Sequence, residues 1–187
     1  LAIDPIPCGA AIVQSLQSIV SRRVAALEPA VVSVTIFESG SAFNVIPGSA
    51  RLGGTARSFS PDVRKFLEES IHEIAMATAK AYDCEIEIDW QPGYPPTVNH
   101  AEESVRAVDA AANVLGAENI ITDLQPSMGA EDFAYMLAEK PGSYVWLGAG
   151  PAKNGAMLHN DRYDFNDDVL ATGASYWARL VESELPK

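Results

Sequence analysis

Three sets of side chains in this sequence could do chemistry. Residues 158–167 read LHNDRYDFND and place one histidine, His159, beside Asp161, Asp164 and Asp167. A neutral imidazole suits Zn²⁺, Mn²⁺ or Co²⁺. A metal site needs several ligands, however, so the stretch alone leaves His159 either a ligand or a solvated loop histidine. The stretches FNVIP and GTARSF carry Asn44 and Arg57. An Asn amide can donate to an oxyanion, and the Arg fork matches a carboxylate with two parallel bonds. The bland alternatives are that Asn favours turns and that an arginine on a half-exposed strand faces water. In SMGAEDF, Glu131 and Asp132 could be paired acid–base carboxylates. Neighbouring helical positions point about 100° apart, which argues against a shared proton. At N2 and N3 of a helix they would instead stabilise its start by a few tenths to about 1 kcal/mol.

The remaining candidates read as structural. His72 falls on a predicted helix and His100 in a predicted linker, both as surface residues. Tyr94 in PGYPPT is a cleft residue or, more simply, a packing anchor. Cys8 and Cys84 lack CxxC or zinc-finger spacing and read as reduced, semi-buried thiols.

The elements that must position these residues are set by local pattern. Asp4-Pro5 and Ser60-Pro61 each combine an N-cap with an N1 proline. Ile6, Ala10, Val13, Leu16 and Val20 then recur at helical spacing to about Arg23, and Val63, Leu67, Ile71, Ile74 and Thr78 do so to about Tyr82. AVVSVTIFE (30–38) is a β-branched strand with Val32, Val34 and Ile36 on one face and Val31, Ser33, Thr35 and Phe37 on the other. ARLGGTARSF (50–59) is a second strand whose glycines imply close backbone approach by something else. EIEIDW (85–90) alternates as a third strand. Beyond the proline-rich 91–99, Val105, Val108, Ala112 and Leu115 mark a helix ended by Gly116. IITDL is a short strand, GAEDFAYMLAEK a helix, SYVWLGAG a continuously apolar buried strand. Residues 167–185 form a helix with Leu170, Ala174, Trp177, Val181 and Leu185 on one face. Two α/β units divide near 92–99.

Composition bounds the function. The chain has 187 residues, is 48% hydrophobic, and carries a formal charge of −12, which disfavours nucleic acid and anionic membranes as partners. No apolar run approaches the roughly 20 residues of a transmembrane helix, and LAIDPIPCG has neither the basic flank nor the apolar core of a signal peptide. The expectation is a soluble, cytoplasmic protein. Helix–strand–strand–helix–strand is a ferredoxin-like βαββαβ unit lacking its first strand, which lies inside the sheet, so the chain reads as a piece of something longer.

LAIDPI, FNVIPGSARLGGTARSF, SMGAEDFAYML, GSYVWLGAG and LHNDRYDFND, in that order, resemble the M20 metallopeptidase family, in its branch of hippurate hydrolases, N-acyl-amino-acid amidohydrolases and auxin-conjugate hydrolases. The resemblance implies an α/β protein. Residues 1–97 would be most of a ferredoxin-like lid or dimerisation domain, and 98–187 the C-terminal α/β part of a zinc-peptidase-like catalytic domain. It implies two divalent metal ions (Zn, Mn or Co) in the intact enzyme, with His159 as one ligand and none bound tightly by these residues alone. It implies that Asn44 and Arg57 contact substrate, that Glu131 shapes the site, and that the lid forms a homodimer. The expected reaction is cleavage of the amide bond of N-acyl or N-aroyl amino acids, with the 187 residues inactive by themselves. The rival expectation is a non-catalytic dimerisation module pairing through VVSVTIF.

Overall fold

The computed structural model describes residues 2–150 and 155–185. The chain divides into two compact units, Leu1–Pro96 with Met128–Ala130, and Thr97–Ser127 with Glu131–Lys187.

The first unit is a two-helix layer on a hairpin. α1 (Pro5–Ser18) starts where the Asp4 side chain accepts the Ile6 N–H at 3.0 Å, and α2 (Pro61–Ala81) where Ser60 Oγ accepts that of Val63 at 3.4 Å. These caps satisfy donors that a helix start leaves free. α1 runs into a single π-helical turn, Ile19–Arg23. β1 (Ala30–Ser39) and β2 (Ala50–Ser58) pair antiparallel. Cys8, Ile12, Leu16 and Ile19 meet Leu67, Ala75 and Ala79 in one core, covered by Val32, Val34, Leu52 and Ala56 of the hairpin.

Two details correct the expected pattern of β1. The register shifts between Val34 and Ile36, leaving Thr35 as a bulge, and an extra residue reverses the alternation beyond it. Phe37 therefore turns to the helix side, where a Cβ on buried Gly9 of α1 would come within 2.9 Å of its ring. Second, the close approach to the glycines comes from the partner strand. A Cβ on Gly54 would collide with the Ser33 carbonyl oxygen, and one on Gly53 would lie 3.2 Å from Ile36 Cδ1.

Residues 85–90, expected as a strand, form no ladder. Cys84 and Ile88 still pack on the core, so the burial half of the pattern is met without backbone pairing. Alternation specifies which face is buried, but a strand exists only against a neighbour, and the described residues provide none for this segment.

The second unit contains α3 (Ala101–Leu115), α4 (Phe133–Glu139) and α5 (Leu170–Glu184). α3 ends at Gly116, whose φ of 85° a side chain would resist. IITDL and SYVWLGAG are not strands: 120–124 and 143–150 are irregular, with Ile121, Leu124, Val145, Trp146 and Leu147 exposed. Their apolar character asks for sheet neighbours that the described residues do not offer. α5 has the expected period but another side turned inward. Its half-buried positions are Thr172, Gly173, Tyr176 and Leu180, while Leu170, Trp177, Val181 and Leu185 are exposed. α5 lies along α3, and Arg106 Nη1 reaches Glu184 at 3.3 Å.

Candidate functional site

In the first unit the hairpin separates the two substrate candidates along its length. Asn44 is exposed in the loop joining β1 to β2. Arg57 is exposed on β2 opposite Val31, at the end remote from that loop. Seven residues from Ala50 to Arg57, at about 3.4 Å each, put its backbone roughly 24 Å along the strand from the loop end. Arg57 Nη1 donates to the carbonyl oxygen of Met128, part of the segment that clusters with this unit. One N–H on a carbonyl uses one of five guanidinium donors.

In the second unit Glu131 is the most closely held of the candidates. α4 begins later than its sequence suggests, with Asp132 as N-cap and no acidic residue in its first turn, so Glu131 precedes the helix and does not occupy N2. Its Oε1 accepts the Phe133 N–H at 3.3 Å and its Oε2 accepts the Tyr144 hydroxyl at 2.9 Å. The Tyr144 bond, then the Phe133 bond, holds the carboxyl below its ordinary range, and the same hydrogen bond pushes the Tyr144 phenol up. Each bond favours the anion of Glu131.

Tyr144 is fixed in turn. The Asn99 amide donates to Tyr144 O and accepts from Tyr144 N, both at 2.8 Å, and the Tyr144 ring packs on Phe133 with centroids 5.8 Å apart. Next to it, His100 N donates to Gly142 O at 3.0 Å and His100 Nδ1 accepts the Gly142 N–H at 3.2 Å. Residues 99–100 and 142–144 are thus stitched together like two short strands, partly through side chains. Sequence inspection misses this, because Asn99 and Tyr144 lie 45 positions apart and neither stands in a chemical motif. His100 is half-buried instead of a surface residue. So is His72, whose ring sits 5.8 Å from Trp90 and whose Nδ1 lies 2.9 Å from Glu68 O.

His159 is exposed and its backbone is left-handed, with φ 68°. It is the third residue of a turn closed by Asn160 N on Met157 O at 3.2 Å. Asn160 Oδ1 accepts the Arg162 N–H at 2.9 Å, and Tyr163 N closes a second turn on Asn160 O at 3.0 Å. Asn166 caps the short 3₁₀ turn Asp167–Val169: its Oδ1 accepts Asp168 N at 3.1 Å and its Nδ2 donates to Ala149 O at 2.9 Å. Non-glycine residues avoid positive φ, though histidine tolerates it better than most, and retained strain of this kind clusters at functional sites.

His159 fits one position of a divalent-metal site by its donor chemistry. Among the described residues no group of three or more His, Cys, Asp and Glu could hold an ion, so these residues do not make a complete metal site. The structure thus brings Glu131 together with Tyr144, and Arg57 with Met128, and among the described residues it assembles no metal-binding cluster around His159.

The similarity of this chain to known proteins is extensive. A hippurate hydrolase of Campylobacter jejuni is 38% identical over 180 residues, 96% of this chain and 46% of the relative. An N-acetylcysteine deacetylase of Bacillus subtilis is 33% identical, again over 96% of this chain and 46% of the relative. The chain spans about half the length of the curated relatives it matches. Among solved structures, Bacillus subtilis YXEP, described as a dinuclear metal binding peptidase from the M20 family, superposes with a TM-score of 0.73 at 29% identity, covering 95% of this chain and 45% of that one. Residues 7–183 match the family described as Peptidase family M20/M25/M40, and the chain belongs to that family.

Proposed function

We propose that this chain is part of a metal-dependent amidohydrolase that cleaves the amide bond of N-acyl or N-aroyl amino acids. The observation that carries the reading is the match over 96% of the chain to a hippurate hydrolase and to an N-acetylcysteine deacetylase, proteins named for hydrolysing an N-acyl amino acid. In this reading residues 1–97 are the greater part of a lid that dimerises, and 98–187 belong to the catalytic domain. The 187 residues alone hydrolyse nothing, and the full-length protein works in the cytoplasm.

Each residue then has a physical task. His159 offers one neutral nitrogen to a two-ion centre of Zn, Mn or Co, from a turn that Asn160 N closes on Met157 O. When bound, such ions activate water and polarise the amide carbonyl. Arg57 presents its unused donors to the substrate carboxylate. Asn44 donates its amide to the scissile carbonyl oxygen or to the carboxylate. The two stand at opposite ends of one hairpin, so a small substrate touching both within a single subunit would be over-stretched. A homodimer in which one copy supplies Asn44 and the other supplies Arg57 to the same substrate relieves that difficulty. Glu131, held anionic by Tyr144, shapes the site without taking a proton.

The test uses the full-length protein that carries this chain, with hippurate and its primary amide as substrates. His159→Ala should cut turnover by more than about 100-fold; turnover within twofold of the parent would remove the ligand assignment. Arg57→Ala should weaken the carboxylate substrate about 10- to 100-fold more than the amide, and equal losses would make the arginine structural. A second reading, a dimerisation module without catalysis, draws on β1 being an edge strand of a two-stranded sheet. A full-length protein that dimerises yet turns over neither substrate would favour it.

A further inference from the structure

We propose that Cys8 and Cys84 are a reversible dithiol site, oxidised by hydrogen peroxide to a disulfide that ties the first turns of α1 to the segment leaving α2. Both side chains belong to one hydrophobic cluster. α2 ends in a Schellman motif: Cys84 N donates to Ala79 O at 2.9 Å and Asp83 N to Lys80 O at 3.2 Å, with Asp83 left-handed at φ 55°. That geometry folds the residue after the turn back onto the helix end, so Cys84 packs on the cluster that contains Ala79. Cys8 reaches the same cluster from the buried face of α1 and is 4% exposed, whereas Cys84 is half-buried. Burial, then the hydrogen bond and charge of the neighbouring Cys84 thiol, pushes the Cys8 thiol up.

The two thiols therefore have different tasks. Cys84, nearer to solvent, is the one an oxidant meets first. Its thiolate attacks the peroxide O–O bond, giving a sulfenic acid and releasing one water. The Cys8 sulfur then displaces the sulfenic oxygen as a second water, forming the S–S bond. Overall, two thiols and one hydrogen peroxide become one disulfide and two waters. A dithiol reductant reverses this by attacking the Cys84 sulfur, releasing Cys8, and returning two electrons as its own disulfide closes. The tie anchors residues 85–90, which pack on the core without ladder bonds, and it closes a long loop in the unfolded chain.

The experiment needs no catalytic activity and is independent of the amidohydrolase reading. The native chain is treated with hydrogen peroxide, denatured, alkylated and mapped without reduction. A Cys8–Cys84 linked peptide is expected, with the intact mass lower by two hydrogens and restored by dithiothreitol. The oxidised form should melt on the order of 10 °C above the reduced form. In Cys84→Ser the same treatment should leave Cys8 fully alkylatable. Cys84 driven to sulfinic acid with Cys8 still a thiol, a disulfide between two chains through Cys84, or both thiols surviving peroxide would each overturn the proposal.

Discussion

Glu131 and His159 lie in the same unit and are held in opposite ways. Glu131 has a fixed side chain, with its two oxygens taken by Phe133 N and the Tyr144 hydroxyl. His159 has a fixed backbone, set left-handed inside the turn that Asn160 N closes on Met157 O, and is exposed. A carboxylate whose acceptors are already engaged is suited to holding structure. An exposed histidine delivered at a defined place is suited to meeting something else. Sequence reading ranks them the same way, but for a different reason, since it takes Glu131 to be a helix-start charge.

The contrast breaks most directly at Asn99. Asn99→Ala removes two 2.8 Å bonds to the Tyr144 backbone, and at about 0.5–1.5 kcal/mol each the loss should be about 2 kcal/mol. Urea titration checks it, and faster amide exchange at Tyr144 should accompany the loss. If Asn99→Ala leaves both unchanged, Tyr144 is not held by this clamp, and the account of Glu131 as the fixed member of the pair fails with it.

Tyr144→Phe should have a smaller effect, confined to a pH window. The folded value of Glu131 is depressed, so its bond contributes stability above the unfolded carboxylate value and loses it as pH falls through the folded value. The Tyr144 phenol is raised, so its share is present below the unfolded phenol value and is lost as pH rises through the folded one. Parent and variant should differ between those limits and converge at both ends. Carbon-detected NMR should show the Glu131 carboxyl titrating nearer its ordinary value in the variant. A constant difference across pH would show that the hydroxyl acts by packing alone.

What could be read in the sequence divides along the same line of local against distant. Caps are local: Asp4-Pro5 and Ser60-Pro61 start α1 and α2 where the residue types demand. Hairpin strands are nearly so, and 30–38 and 50–59 differ from β1 and β2 by single residues. The Thr35 bulge is not visible, because it depends on how Val34 and Ile36 meet Gly54 and Gly53 across the pair. Residues 85–90, 120–124 and 143–150 show the other limit, since alternation or apolarity states a demand for neighbours and cannot supply them. Sequence motifs also single out Asn44, Arg57, Glu131 and His159, but nothing local shows that Tyr144 and Asn99 stand behind Glu131.

The finest test of the contrast is His159→Gly. A left-handed residue other than glycine carries about 1–2 kcal/mol of steric cost, less for histidine than for branched residues. Glycine would remove that cost but add unfolded-chain entropy of about 0.5–1 kcal/mol, so the two nearly cancel and stability should change by less than about 0.5 kcal/mol. His159→Val at the same φ should lose about 0.5–1 kcal/mol, because its branched Cβ meets the full penalty of about 1–2 kcal/mol of which histidine already carries part. A fold indifferent to the ring but sensitive to Cβ shape means that the imidazole is kept for what it binds. If His159→Gly instead costs more than about 1 kcal/mol by urea titration, the ring packs within this chain, and its claim to be a metal ligand loses its structural support.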